Sequence, residues 1–412
     1  MMLLTRRRLL LGLAALSAAG FAYRYWPEGG ISNPCPGEPL PRSLLDHPLV
    51  QSAWEGIDPA RYRDCHVHLI GTGDSDSGTW INPKMKSLTN PVQWAQRAFY
   101  MNASCALDDD RVDESFVERL VWLTDQLPAG VKLMLLAFDF IYDENGERRL
   151  ETSAFHTPDK YAASIAARHP DHFEWIASIH PYRRDAVTAL REAAGNGARA
   201  VKWLPPAQGM NPASPLCDPF YEAAAELDMP LLVHAGTELA VHGGNAEDYG
   251  SPLQLRRPLD HNVRVIVAHC ASLGSGPDLD IGPDGPVLPN FELFTRMMEE
   301  PRYEELLYGD ISAITQLNRV GSALETIVKR TDWHPRLLNG SDYPLPGVMP
   351  LYSLKQHQRL GYISEAESET LSAVRHHNPL MFDFVLKRTL RIGGQRLGPQ
   401  PFMTRDFFAG SA

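Results

Sequence analysis

Along this chain, short apolar runs alternate with longer stretches whose apolar residues recur at helical spacing. Eight runs rich in Val, Ile, Leu or aromatic residues predict strands over Tyr62–Ile70, Val131–Phe138, Phe173–His180, Ala198–Leu204, Pro230–His234, Val263–His269, Leu306–Ile311 and Arg336–Gly340. Amphipathic stretches predict helices over Asp113–Gln126, Asp159–His169, Asp185–Ala194, Pro219–Leu227, Leu253–Asp260, Phe291–Glu299, Ser322–Lys329 and, beyond the last strand, Glu365–Arg375. Asp or Pro stands near several helix starts and Gly or Pro beyond several ends, as capping favours.

Strands that alternate with helices read as βα units on a parallel sheet, and eight are enough to close a (β/α)8 TIM barrel. The rival, an open doubly wound sheet, lacks a Gly-x-Gly-x-x-Gly after its first strand. The barrel is expected over residues 61–390, with long βα-loop insertions such as Gly71–Asp110, followed by a tail over 391–412. Ahead of it, the proline-rich residues 27–60 read as a tether wrapped onto the domain.

Residues 1–26 read as an address rather than as fold. Arg6-Arg7-Arg8 precedes an uncharged run rich in Leu, Ala and Gly, the pattern of an export signal. The paired arginines suggest the twin-arginine route, with the translocase as a transient partner and the periplasm as destination. An ordinary secretory signal, or an uncleaved membrane anchor with Tyr23, Tyr25 and Trp26 at the interface, are the alternatives.

Composition then removes whole classes. With 44% hydrophobic and 22% charged residues, the 412-residue chain is not a disordered one. A net charge of −11 offers no general grip on nucleic acid, which leaves a small molecule as the expected partner; an oligomer is compatible with everything here. Five cysteines (Cys35, Cys65, Cys105, Cys217 and Cys270) are no disulfide framework. Cys35 could pair in an oxidising compartment, but five unpaired thiols are the expectation.

The candidate chemistry sits at the strand ends. The first strand holds Asp64-Cys65-His66-Val67-His68, where side chains two apart share a face, so both imidazoles point one way and Cys65 and Val67 the other. Composition alone would produce about 0.5 such histidine pairs, so the pair decides little by itself. The fifth and sixth strands end in His234 and His269, the fourth holds Lys202, and the eighth runs into Ser341-Asp342-Tyr343-Pro344. Each has an ordinary structural explanation. Together they do not, because the C-terminal ends of barrel strands converge on one mouth and buried polar groups there need partners.

This constellation resembles the amidohydrolase superfamily, in its branch of amidohydrolase-related TIM-barrel metal-dependent hydrolases. The likeness runs from about Tyr62 to Phe384, where Asn378-Pro379 and Phe382 look like that branch's closing helix. It implies a divalent metal, usually zinc, as one or two ions held by His66, His68, His234 and Asp342. His269 would then be a second ligand, or the group that polarises substrate or protonates the leaving group. Asp342 would also serve as general base. Lys202 is open: a carbamate bridging two metals with His234 and His269 on the second, an ammonium that binds a substrate carboxylate, or a solvated charge. The implied reaction is attack of metal-activated water on an amide, lactone or ester carbon. The alternative is zinc-dependent, non-oxidative decarboxylation of an aromatic or unsaturated acid. A non-catalytic periplasmic binding protein is disfavoured by the complete ligand set. Secondary candidates for substrate contact are His180, His242 and Arg97.

Overall fold

The structure, a computed structural model, describes residues 29–106, 110–241, 243 and 246–409. The predicted leader and His242 lie outside the described residues. All eight predicted strands form: β1 (Arg63–His68), β2 (Lys132–Leu136), β3 (Phe173–Ile176), β4 (Val201–Trp203), β5 (Leu231–His234), β6 (Val265–Ala268), β7 (Leu307–Asp310) and β8 (Leu337–Leu338). They pair in parallel in chain order as β1-β2-β3 and as β4-β5-β6-β7-β8. Two seams join these groups. The Ala177–Val201 bridge links β3 to β4, while Cys65 N donates to Asn339 O (2.9 Å) and His68 N to Tyr343 O (2.9 Å) between β1 and β8. The ring of strands therefore closes.

Pleating sorts the strand residues. Cys65, Met134, Leu136, Ile176, Ala200, Leu232, Ile266, Ala268 and Leu338 form one buried cluster, the barrel interior. Their alternates, such as Leu133, Val201, Leu231, Val233, Val265 and Val267, belong to the larger cluster beneath the helices. Alternation then carries the inward face upward to Lys202 (two after Ala200), His234 (two after Leu232) and Asp310 (two after Tyr308). β1 breaks the rule: Cys65 joins the interior whereas Val67 joins the outer core. The expected shared face for these two does not hold, because the pairing register slips between Asp64 and Val67.

The predicted helices form within a few residues of their expected bounds. A further one, α1 (Pro91–Ser104), lies in the insertion after β1, with Pro at its first turn. Its Val92, Trp94 and Phe99 are exposed, so no apolar stripe announced it. Beyond β8, Pro379–Thr389 is buried along its whole length, and its Phe384 packs at a tilt against Trp54 of the N-terminal segment (ring centroids 4.2 Å apart). The last described residues close the lower end of the barrel: Phe408 enters the interior cluster, and Thr404 Oγ1 donates to Arg63 O (2.9 Å). The cysteines correct expectation. Cys35 and Cys105 are bonded, tying the N-terminal segment to the residue after α1, while Cys65, Cys217 and Cys270 are free and buried. No helix among the described residues is long and apolar enough to cross a membrane.

Candidate metal centre and substrate cavity

Residues separated by up to 276 positions in sequence meet at the upper mouth of the barrel. Asp342 Oδ1 lies 3.1 Å from His68 Nε2 and 3.4 Å from His66 Nε2. Ligands about 2.0 Å from a tetrahedral metal stand about 3.3 Å apart, so these three atoms already have the spacing of a coordination shell. His269 Nε2 is 3.8 Å from Asp342 Oδ2, and its ring stacks on that of His66 with centroids 5.2 Å apart. His234 stands against His269 (5.3 Å between centroids) on the same wall, yet outside the tight groups His66–His68–Asp342 and His66–His269–Asp310. Its Nε2 is buried and makes no hydrogen bond. A buried nitrogen left in that state is costly unless it meets a cation. Imidazole nitrogens with a carboxylate are the donors that a catalytic divalent ion takes, so the residues present fit such a metal.

The backbone is bent to deliver these groups. His269, Cys270 and Ala271 are left-handed in succession (φ 55°, 50° and 50°), as is Asp342 (φ 60°), a conformation that costs non-glycine residues roughly 1–2 kcal/mol each. Gly340 has to be glycine, since a Cβ there would lie 2.6 Å from the Cβ of His66. Asp64 accepts from both His66 N (3.2 Å) and Ser341 N (2.8 Å), fastening β1 to the chain that leads to Asp342.

Asp310, which the strand-end reading passed over, is central. Its Oδ2 lies 2.6 Å from His66 Nδ1 and its Oδ1 accepts from Ser312 N. A carboxylate on Nδ1 holds the proton there and leaves Nε2 free for a metal. Burial would raise the Asp310 carboxyl, but His66 against it prevails and holds it below the usual range. The signal existed: Asp310 is the next-to-last residue of the seventh predicted strand, close to where the other strands carry their polar groups.

Burial pushes His269 down to about 3, His68 below its ordinary value and His234 well below it, so these imidazoles favour the neutral form that can ligate. Burial likewise lowers Lys202, whose Nζ is 3.2 Å from His66 Nε2, and raises the Glu238 carboxyl to about 7. Glu238 (Oε2 3.4 Å from His234 Nε2) sits in the loop after β5, and Arg319 in the loop after β7; no periodic pattern marked either.

Above this floor opens a cavity of about 340 Å³, walled by apolar groups including Phe99, Leu239, Val348 and Leu351 and by Tyr100 and Arg319. That size and character suit one small organic molecule. Tyr100 of α1 hydrogen-bonds Ala240 O, so the insertion helix is tied across the entrance. Arg97, on the same helix, lines an adjoining recess that shares His68, Tyr100 and Asp342. His180 is placed elsewhere: both ring nitrogens are engaged, Nε2 with Gln208 O (3.1 Å) and Nδ1 with Tyr182 N (3.2 Å), and it does not line the cavity.

A search of curated proteins found no match. Among solved structures, an uncharacterized TIM-barrel protein from Bordetella bronchiseptica is 15% identical, covering 70% of this chain and 89% of its own, with a TM-score of 0.45. A probable 2-pyrone-4,6-dicarboxylic acid hydrolase from Acinetobacter baumannii is 14% identical over 75% and 95% of the two chains (TM-score 0.43). A 5-carboxyvanillate decarboxylase from Novosphingobium aromaticivorans, with bound manganese, is 12% identical over 76% and 93% (TM-score 0.42). The family model described as Amidohydrolase matches residues 64–382, about three quarters of the chain, and takes in every residue of the mouth. The chain belongs to the Amidohydrolase family.

Proposed function

We propose that this enzyme is a metal-dependent hydrolase that opens an amide, lactone or ester bond in a small, largely apolar substrate. The observation that carries the reading is the meeting of His66 Nε2, His68 Nε2 and Asp342 Oδ1 at coordination spacing on the floor of an apolar cavity. His66, His68, His234 and Asp342 would hold a divalent cation, zinc or another such as manganese. Bound there, the cation would polarise a substrate oxygen and bring a water's pKa near neutrality.

The chain's own residues supply the rest. Asp342 faces the cavity and His269 with Oδ2, the atom positioned to accept a proton as water attacks. His269, held through Nδ1 by Ser312 (Oγ 2.8 Å), presents Nε2 to the same space and can steady or protonate the departing group. Phe99, Leu239, Val348 and Leu351 line this space with apolar surface, which strengthens each of these polar interactions. With Nζ packed against His66 Nε2, Lys202 acts as a buried amine rather than a bridging ligand, and the site is mononuclear.

Decarboxylation is the second reading, and the buried Arg319 in the cavity wall favours it, since a carboxylic acid substrate needs a cationic partner. The protein would act in the periplasm, a location supported by the Cys35–Cys105 bond, which persists in oxidising compartments. The deciding experiment screens metal-loaded enzyme on lactones, amides, esters and aromatic acids while recording carbon dioxide. Turnover without gas supports hydrolysis, and stoichiometric gas release overturns it. Asp342→Asn should lower turnover about 10²–10⁴-fold with the fold intact, because it removes the proton acceptor; undiminished turnover refutes that role.

A further inference from the structure

The four residues that carry the chain from β8 to the metal site are gripped one by one. Asn339 donates from N to Pro401 O (2.7 Å) and from Nδ2 to the Tyr62 hydroxyl (2.8 Å). Ser341 N donates to Asp64 Oδ1 (2.8 Å) and Asp342 N to His66 O (2.8 Å). Between them, the carbonyl of Gly340 accepts from Lys387 Nζ (2.7 Å), on the helix Pro379–Thr389. Lys387 is fully buried, and Asp383, one turn earlier on that helix, sets its Oδ2 2.5 Å from the same Nζ. A buried ion pair is a weak source of stability, often replaceable by apolar side chains, and here Asp383 Oδ1 is buried without a partner. What an apolar side chain could not do is donate to Gly340 O. That carbonyl sits at a sensitive point. A Cβ at Gly340 would lie 2.6 Å from the Cβ of His66, and two residues on is Asp342, left-handed at φ 60°. A strained residue persists only where its surroundings over-determine it.

We propose that Lys387 is a positioning residue for the metal site: its grip on Gly340 O fixes the turn that sets Asp342 Oδ1 against His66 and His68, with Asp383 as counter-ion to the buried amine. This rests on reading Asp342 as a metal ligand. Lys387 does not line the cavity, so it acts only through the backbone it holds. Releasing the turn lets Asp342 Oδ1 leave its places 3.1 Å from His68 Nε2 and 3.4 Å from His66 Nε2, which weakens metal binding without removing any donor atom.

The test reads the metal, not turnover. Full-length protein is loaded with cobalt(II), whose visible absorption reports coordination number and geometry, and zinc affinity is measured by competition with a chromophoric chelator. Asp383→Asn keeps an oxygen for Nζ and leaves Lys387 on Gly340 O, so zinc affinity should stay within about twofold and the cobalt spectrum unchanged. Lys387→Met combined with Asp383→Asn removes the grip and leaves no buried charge unpaired. Zinc affinity should then fall about 10- to 100-fold, the usual effect of losing a group that orients a ligand, and the cobalt bands should shift. Thermal melting compares the folds, and Lys387→Leu replaces the methionine variant if that one fails to fold. A purely structural pair would alter melting and leave both metal readings where they were. That result in the double variant overturns the role of Lys387, as does an equal loss of zinc affinity in Asp383→Asn alone. Wild type that takes up neither metal rejects the metal reading of the site and this role with it, whereas tight wild-type binding beside an unaltered double variant rejects Lys387 alone.

Discussion

Replacing Asp310 by Asn probes the site through a residue that need not touch the metal. Asp310 accepts three hydrogen bonds with its two oxygens: Oδ2 from His66 Nδ1 at 2.6 Å, and Oδ1 from Ser312 N at 2.5 Å and from His269 N at 3.5 Å. An asparagine has one oxygen. If that oxygen faces Ser312 N, the amide NH2 meets His66 Nδ1 and turns the imidazole to the tautomer with its proton on Nε2, the nitrogen facing Asp342 and the cavity. If it faces His66, the NH2 opposes the Ser312 N–H, two donors in contact. Either arrangement forfeits a charge-assisted bond worth about 1.5–3 kcal/mol at a fully buried carboxylate. At 1.36 kcal/mol per factor of ten, metal affinity should fall about 10- to 150-fold. Competition between the protein and a chromophoric zinc chelator measures this directly, with circular dichroism and melting as fold controls. Affinity within twofold of wild type, in a folded variant, would refute the role of Asp310 in setting the His66 tautomer.

Lys202→Met should leave a metal stoichiometry near one per chain by elemental analysis; a drop from two to one would establish a carbamate-bridged pair instead. Cys35→Ser should lower stability by about 4 kcal/mol, since the bond closes a 70-residue separation, and mass spectrometry of the denatured, unreduced wild type should show Cys35 joined to Cys105. Burial holds His180 down at about 4, below its unfolded value of 6.5, so its neutral form contributes stability that is complete above pH 6.5 and lost as pH falls towards 4. In metal-free protein, His180→Gln should therefore flatten the acid side of the stability profile, whereas an unchanged slope would exclude His180 as its source.

The order of elements was readable because periodicity is local. A strand such as Leu231–His234 or a helix such as Ser322–Lys329 announces itself within its own residues, by the spacing of apolar side chains and the turn residues that bound it. The polar residues at strand ends were readable for the same reason: His234, His269 and Lys202 interrupt runs that are otherwise apolar. Helix α1 was not, because it shows solvent the side chains that a periodic stripe would bury.

Contacts between distant residues belong to another level. Asp310 and His66 are 244 positions apart, and no feature near either one states that the seventh strand will set its carboxylate on the first strand's histidine. That depends on barrel closure and on the register slip in β1, which sum the positions of all eight strands. The burial of Arg319 and the pairing of Cys35 with Cys105 likewise follow from the paths of loops over the finished barrel. Sequence alone therefore determined the kinds of element, their order and the inventory of chemical groups at the strand ends. Tertiary structure decided which of those groups touch, because distance across a closed sheet is a property of the whole ring and not of any segment in it.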